Sequence, residues 1–191
     1  MAAGPPIKVA DLNTAIPGGT GNFTAFFSIG PPIIPAIDGS NVAFFGAGSG
    51  GQQGIYESVG GVASRIADTA TAIPGGTGLF TSFGDVSLSS TDVAFLGFGA
   101  SGQEGIYDMT GGTLFDMVDL NDILDGRAIT ALSLSRTGVS CDPIAFQATF
   151  ADGSQGIYSK NVAPEPSGWA LLAAGTAPLL GLRRRRSTTT A

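Results

Sequence analysis

Val93-Ala94-Phe95-Leu96-Gly97-Phe98-Gly99-Ala100-Ser101-Gly102-Gln103-Glu104-Gly105-Ile106-Tyr107 decides how this chain is read, because its two ends recur together at a fixed distance. Gly105-Ile106-Tyr107 returns as Gly54-Ile55-Tyr56 and as Gly156-Ile157-Tyr158, at intervals of 51 residues. Twelve residues ahead of each triplet stands a matching apolar run: Val42-Ala43-Phe44, Val93-Ala94-Phe95 and Ile144-Ala145-Phe146. An offset kept through three copies marks a structural repeat whose register is constrained. A second marker, Ile16-Pro17-Gly18-Gly19-Thr20-Gly21, returns as Ile73-Pro74-Gly75-Gly76-Thr77-Gly78 at a spacing of 57. The six additional residues fall in the first copy around Gly30-Pro31-Pro32-Ile33-Ile34-Pro35. Prolines lack the N–H that a ladder needs, so this segment reads as a surface loop insertion.

Turn chemistry divides the middle copy into four strands. Phe83–Leu88 is the first; Val93–Phe98, apolar on both faces, reads as an interior second strand. Ser101-Gly102-Gln103-Glu104 turns the chain into a third, Ile106–Met109. Gly111-Gly112 supplies the positive φ angles for a tight hairpin into a fourth, Leu114–Val118. The third copy stops after Tyr158 without a fourth strand, while Ile7-Lys8-Val9-Ala10-Asp11 at the other terminus resembles the fourth strands Arg65–Asp68 and Asp116–Asp119. The expected fold is therefore all-β, a β-propeller-like array of three four-stranded antiparallel units, twelve strands in all. Closing a ring with an offset strand removes the long exposed edge. Three units fall below the roughly 4 to 8 blades of propellers. That leaves a part of a longer propeller, two copies in a homodimer completing a six-bladed ring, or a threefold β-trefoil or β-prism.

Composition agrees with this class. Thirty glycines among 191 residues and only 13% charged side chains suit turn-rich β structure, and helices should be scarce. Residues 1–163 carry 14 acidic and 5 basic side chains, a net of −9, while four arginines sit at 183–186. An acidic body repels phosphate backbones, so no nucleic-acid partner is expected. There is no histidine, which excludes Ser-His-Asp and Cys-His systems and the usual His-containing zinc sites. The single Cys141 rules out an intrachain disulfide and reads as a small residue in a turn.

The chain changes character after Val162, so residues 1–162 read as the β-repeat domain and 163–191 as a tail. Pro164-Glu165-Pro166 leads into an almost uncharged run over 167–182, then Arg183-Arg184-Arg185-Arg186 and a polar end. Sixteen helical residues span about 24 Å, short of the ~30 Å hydrocarbon core, which makes a marginal membrane anchor. The arginines belong on the cytoplasmic side, placing the body outside the inner membrane. Pro164, Glu165 and Pro166, the Trp169-Ala170-Leu171-Leu172 opening and Arg183, Arg184, Arg185 and Arg186 resemble the PEP-CTERM sorting signal of bacterial envelope proteins. The resemblance covers about 25 residues. It implies an exosortase-type sorting enzyme as partner, cleavage near Pro-Glu-Pro, transient anchoring in the inner membrane, and release to the cell surface or extracellular matrix with its polysaccharide. Leu124-Asp125-Gly126 and Phe150–Tyr158 also resemble the last repeat found upstream of such tails, which favours part of a longer propeller. Met1–Lys8 has neither a charged n-region nor an apolar h-region, so the chain reads as a fragment or as one with a misassigned start.

Candidate chemistry is sparse. Asp116, Asp119, Asp122 and Asp125 recur every third residue, but they lack a calcium loop pattern and read as solvated loop charges. Glu57 and Glu104, with nearby Asp residues, would supply a glycosidase acid/base pair only if two carboxylates converged in space. The Ile-Pro-Gly-Gly-Thr-Gly segments lack the Gly-Lys-Ser/Thr of a phosphate loop and read as turns. Thr69-Ala70-Thr71 is the only hint of an ice-binding Thr ladder. The expectation is a non-catalytic, cofactor-free envelope protein, structural or adhesive, with an extracellular carbohydrate-active enzyme as runner-up.

Overall fold

The computed structural model describes residues 5–27, 32–90, 92–140 and 143–161. Among these the chain forms three separate antiparallel sheets, with no strand ladder running from one to another, and one short 3₁₀ turn at Ala100–Gly102. Sheet 2 is the simplest: β6 (Phe80–Ser89), β7 (Asp92–Gly99), β8 (Glu104–Thr110) and β9 (Thr113–Asp119) follow one another as a meander. Gly111 and Gly112 make the last hairpin at φ 58° and 81°, the left-handed conformation their sequence predicts.

Sheet 1 repeats this plan with its first strand cut in two. β1 (Phe23–Ala25) pairs with the far end of β3 (Asn41–Gly48), and β2 (Ala36–Asp38) with its near end. Phe23 faces Gly48 as Phe80 faces Gly99, and the six-residue insertion lies between the two pieces. β4 (Gln53–Val59) and β5 (Val62–Asp68) complete the sheet. Sheet 3 contains β11 (Arg127–Val139), β12 (Pro143–Phe150) and β13 (Gln155–Asn161), with the two-residue β10 (Ile123–Leu124) folded against the start of β11. β13 is the edge of its sheet, so the missing fourth strand of the third unit is a structural fact among the described residues. Ile7–Asp11, expected to supply it, joins no sheet. The apolar helix expected within 167–182 and Cys141 fall outside the described residues. No described helix is long and apolar enough to cross a membrane.

The sheets stack in sequence order through faces of opposite character. We call the face turned to the following sheet leading and the other trailing. Ala43, Phe45 and Ile55 on the leading face of sheet 1 are buried against Phe80, Val93, Phe95 and Tyr107 on the trailing face of sheet 2. Ala94 and Ile106 lead from sheet 2 onto Ile129, Ile144, Phe146 and Phe150 of sheet 3. β7 is thus buried on both sides, as its doubly apolar sequence predicts. A bulge in each fourth strand turns two consecutive residues, Ile66-Ala67 and Met117-Val118, into these cores. Hydrogen bonds cross the joins as well: Ser87 Oγ donates to Arg136 O at 3.0 Å and accepts from Val139 N at 2.9 Å.

The trailing face of sheet 1 carries the same aromatic set as sheet 2. Phe23, Phe26, Phe44 and Tyr56 repeat Phe80, Phe83, Phe95 and Tyr107, with Phe23 edge-on to Tyr56 at 5.0 Å and Phe80 edge-on to Tyr107 at 4.9 Å. Val9 and Ala10 pack on this face.

Candidate functional site

The antiparallel meander brings two sets of connections to one end of the stack: the links from each fourth strand to the next first strand, and the turns 48–53, 99–104 and 150–155. The links begin with a polar device repeated at the unit boundaries. Asp11 Oδ1 accepts from Asn13 N and Thr14 Oγ1, and Thr14 Oγ1 accepts in turn from Asp11 N. Asp68, Ala70 and Thr71 reproduce the same three bonds, and Asp119 with Asn121 and Asp122 forms a close variant. Short oxygen-bearing side chains bond the local backbone readily, so this is a turn that its own residues hold. The consequence for the four aspartates is direct. Asp119 and Asp122 shape a turn, and no described group of His, Cys, Asp or Glu is arranged to hold a metal ion. Thr69 and Thr71 lie in such a turn rather than on a flat strand.

The Ile-Pro-Gly-Gly-Thr-Gly links close as turns, with Ile16 N donating to Gly21 O and Ile73 N to Gly78 O. Gln103 clamps the second by accepting from Thr77 N and donating to Thr77 O, both at 3.0 Å. In the third link the turn is shortened to Asp125-Gly126 between β10 and β11, and a side-chain network occupies its end of the sheet. The Arg127 guanidinium lies 3.8 Å above the Phe150 ring, an attractive cation–π geometry. It donates to Ser154 Oγ at 2.8 Å, to Tyr158 OH at 3.1 Å and to Asp125 Oδ2 at 3.4 Å. Tyr158 OH donates to Asp125 Oδ2 at 2.7 Å, and this bond raises the phenol's pKa above its usual value. Nearby, Ser101, Gln103, Glu104, Tyr107, Asp119 and Asn121 line a polar recess of about 100 Å³. Within the network the guanidinium, the phenol and the carboxylate are bonded to one another, and the recess is lined by both donors and acceptors.

Glu57 and Glu104 sit on different sheets and are engaged separately, while Asp92 lies close enough to Glu57 and Asp108 to raise both. Glu104 Oε1 accepts from Leu132 N at 2.6 Å and ties sheet 2 to sheet 3. Glu57 is buried on sheet 1, its pKa raised by burial and then by Asp92. Asp108, its counterpart in sheet 2, is pushed up to about 6 by burial, against the lowering effect of Thr110, whose hydroxyl donates to it. Asp116 is raised to about 6 by burial, then by Asp119 and Asp122. Pro164, Glu165, Pro166 and Arg183–Arg186, expected to form a sorting motif, lie outside the described residues.

Sequence reasoning missed the Arg127 network and the Asp-x-x-Thr turns. The second was available as a signal, since Asp11/Thr14 and Asp68/Thr71 share the 57-residue spacing. The first was not: Arg127 and Tyr158 are joined only by the pairing of three strands. No family model matches the chain, and no curated protein or solved structure is significantly similar to it.

Proposed function

We propose that this chain is an exported, non-catalytic envelope protein whose three sheets form an arc of a β-propeller and whose loop end contacts extracellular polysaccharide. The tail of 163–191 is its sorting signal for an exosortase-type enzyme, with the inner membrane as a transient anchor and the cell surface or matrix as destination. The ordered succession of Pro164-Glu165-Pro166, an uncharged run and Arg183–Arg186 carries the sorting half of this reading. The propeller half is supported by separate meanders stacked leading face on trailing face, where a trefoil would share strands in one barrel. The Arg127–Phe150–Tyr158–Asp125 network supports the ligand class.

The test has two arms. Co-expression with an exosortase should release a form lacking the tail, and Glu165→Ala should leave the full-length chain in the membrane fraction; equal release of both would refute the sorting role. In affinity electrophoresis through isolated exopolysaccharide, the protein should be retarded and Arg127→Ala should lose most of that retardation. The runner-up, a carbohydrate-active enzyme, draws on Asp116, whose raised pKa suits a general acid and which pairs across the sheet with Tyr107 of the polar recess. Shortening of the polymer by the wild type but not by Asp116→Asn would favour it.

A further inference from the structure

We propose that the β13 edge and the leading face of sheet 3 receive Ile7–Asp11 and the trailing face of sheet 1 from a second copy of this chain, so that two copies join head to tail. The pairing stands on the sheet contacts; its closure into a six-sheet ring after two copies rests on the propeller reading.

Each surface in this join has a counterpart already engaged elsewhere in the molecule. Ile55 and Ile106 are 0% exposed beneath the next sheet, while Ile157, at the same repeat position, is 76% exposed. Ala43 and Ala94 are likewise buried, and Ala145 is not. On the other side, the trailing face of sheet 1 has the aromatic set that covers such an isoleucine within the stack. It retains an apolar recess of about 240 Å³ lined by Val9, Ala10, Phe26, Val42 and Phe44, among others. Ile157 is the side chain the repeat would place there.

The N-terminal segment sits as a fourth strand awaiting its neighbour. Val9 and Ala10 pack on the trailing face of sheet 1 as Ile66-Ala67 pack on sheet 2 and Met117-Val118 on sheet 3. The Lys8–Asp11 ion pair at 2.9 Å duplicates Arg65–Asp68 at 2.9 Å, and the turn that follows is the same. Ile7, at 86% exposure, stands where Phe115 pairs across β9 and β8. Meanwhile β13 lacks on one side, among the described residues, the partner that β8 finds in β9, an edge that a strand of matching pattern satisfies. Transferring the β8–β9 register gives Gly156 opposite Asp11, Ile157 opposite Ala10, Tyr158 opposite Lys8 and Ser159 opposite Ile7, with the bulge at Val9. Lys8 then arrives beside Asp125, whose side chain is 67% exposed and of opposite charge. Gln147 replaces the Phe45 and Leu96 of the internal joins, so this join is less apolar than they are.

Disulfide trapping in the full chain tests the register. In a Cys141→Ser background, a size-tagged Ile7→Cys chain mixed with an untagged Ser159→Cys chain should form a mixed covalent dimer on mild oxidation. Ile7→Cys with Ile123→Cys is the off-register control. The double variant Ile7→Cys/Ser159→Cys should run as a closed covalent dimer. Adding Ile157→Arg should cut the yield at least tenfold while leaving the β-sheet circular dichroism of the chain unchanged, since that side chain is exposed in the single chain. A yield no greater than the control, or a link formed only within one chain, overturns the proposal. A ladder of higher multimers from the double variant would uphold the pairing and overturn the two-copy ring, and with it the propeller reading alone.

Discussion

A side chain that is absent shapes each sheet at the residue scale. A Cβ at Gly46 would lie 2.4 Å from the Phe23 ring, and one at Gly97 would lie 2.6 Å from the Phe80 ring. The aromatic pairs Phe23–Tyr56 and Phe80–Tyr107 exist because glycine leaves that room. The third unit solves the same problem differently, with Ala148 in place of the glycine and Ile129 in place of the phenylalanine. Gly97→Ala should therefore cost about 1–3 kcal/mol by overpacking. Phe80→Ile should recover part of that loss, leaving a coupling of about 0.5 kcal/mol or more in a double-mutant cycle followed by urea denaturation. Additive losses would show that the two positions do not share their space. These substitutions were legible as repeat differences, whereas the compensation between them becomes visible only when strand pairing sets the two residues side by side.

The meander and its turns were readable at the scale of elements, because glycine pairs and two-residue alternation report on local conformation. Other features depend on contacts distant in sequence. The first strand of sheet 2 begins three residues ahead of its expected start, since a register shift between Phe83 and Val86 lets Phe80 rejoin β7. The bulges at Ile66 and Met117 put neighbouring residues into one core, which a strict alternation cannot anticipate. Ile7–Asp11 has the pattern of a strand but no neighbour within the described chain, and strand geometry requires one. The joins between elements make their own prediction through Ser87, which is fully buried and bonded to two backbone groups of β11. Ser87→Ala leaves both without that partner, so stability should fall by about 1–3 kcal/mol. The urea midpoint should drop with an unchanged slope; no drop would show that the hydroxyl is dispensable at this join.

The whole molecule is a stack with sheet 2 as its centre, and its buried carboxyls tie stability to pH. Asp108 and Asp116 both titrate at about 6 in the folded chain, against 3.8 as the ordinary value. Between those limits the native state holds protons that the unfolded chain has released, so stability falls as pH rises through the window. Asp11, lowered to about 2 by its bonds to Lys8 and Thr14, acts in the opposite sense only at more acidic pH. The thermal midpoint should accordingly be higher at pH 5 than at pH 7.5, by about 3 °C for each kcal/mol involved. Asp108→Asn should reduce that difference, and a midpoint higher at pH 7.5 would contradict the assignment. Of the loop end, the Ile-Pro-Gly-Gly-Thr-Gly turns were legible and the Arg127 network was not, because its members come from three strands of sheet 3 and the link before them. The stack also has a direction, each leading face resting on a trailing one. Duplication or deletion of a 51-residue segment in frame would lengthen or shorten the stack by a whole sheet while leaving the two terminal faces as they are, making array length an inheritable quantity separable from the chemistry of the ends.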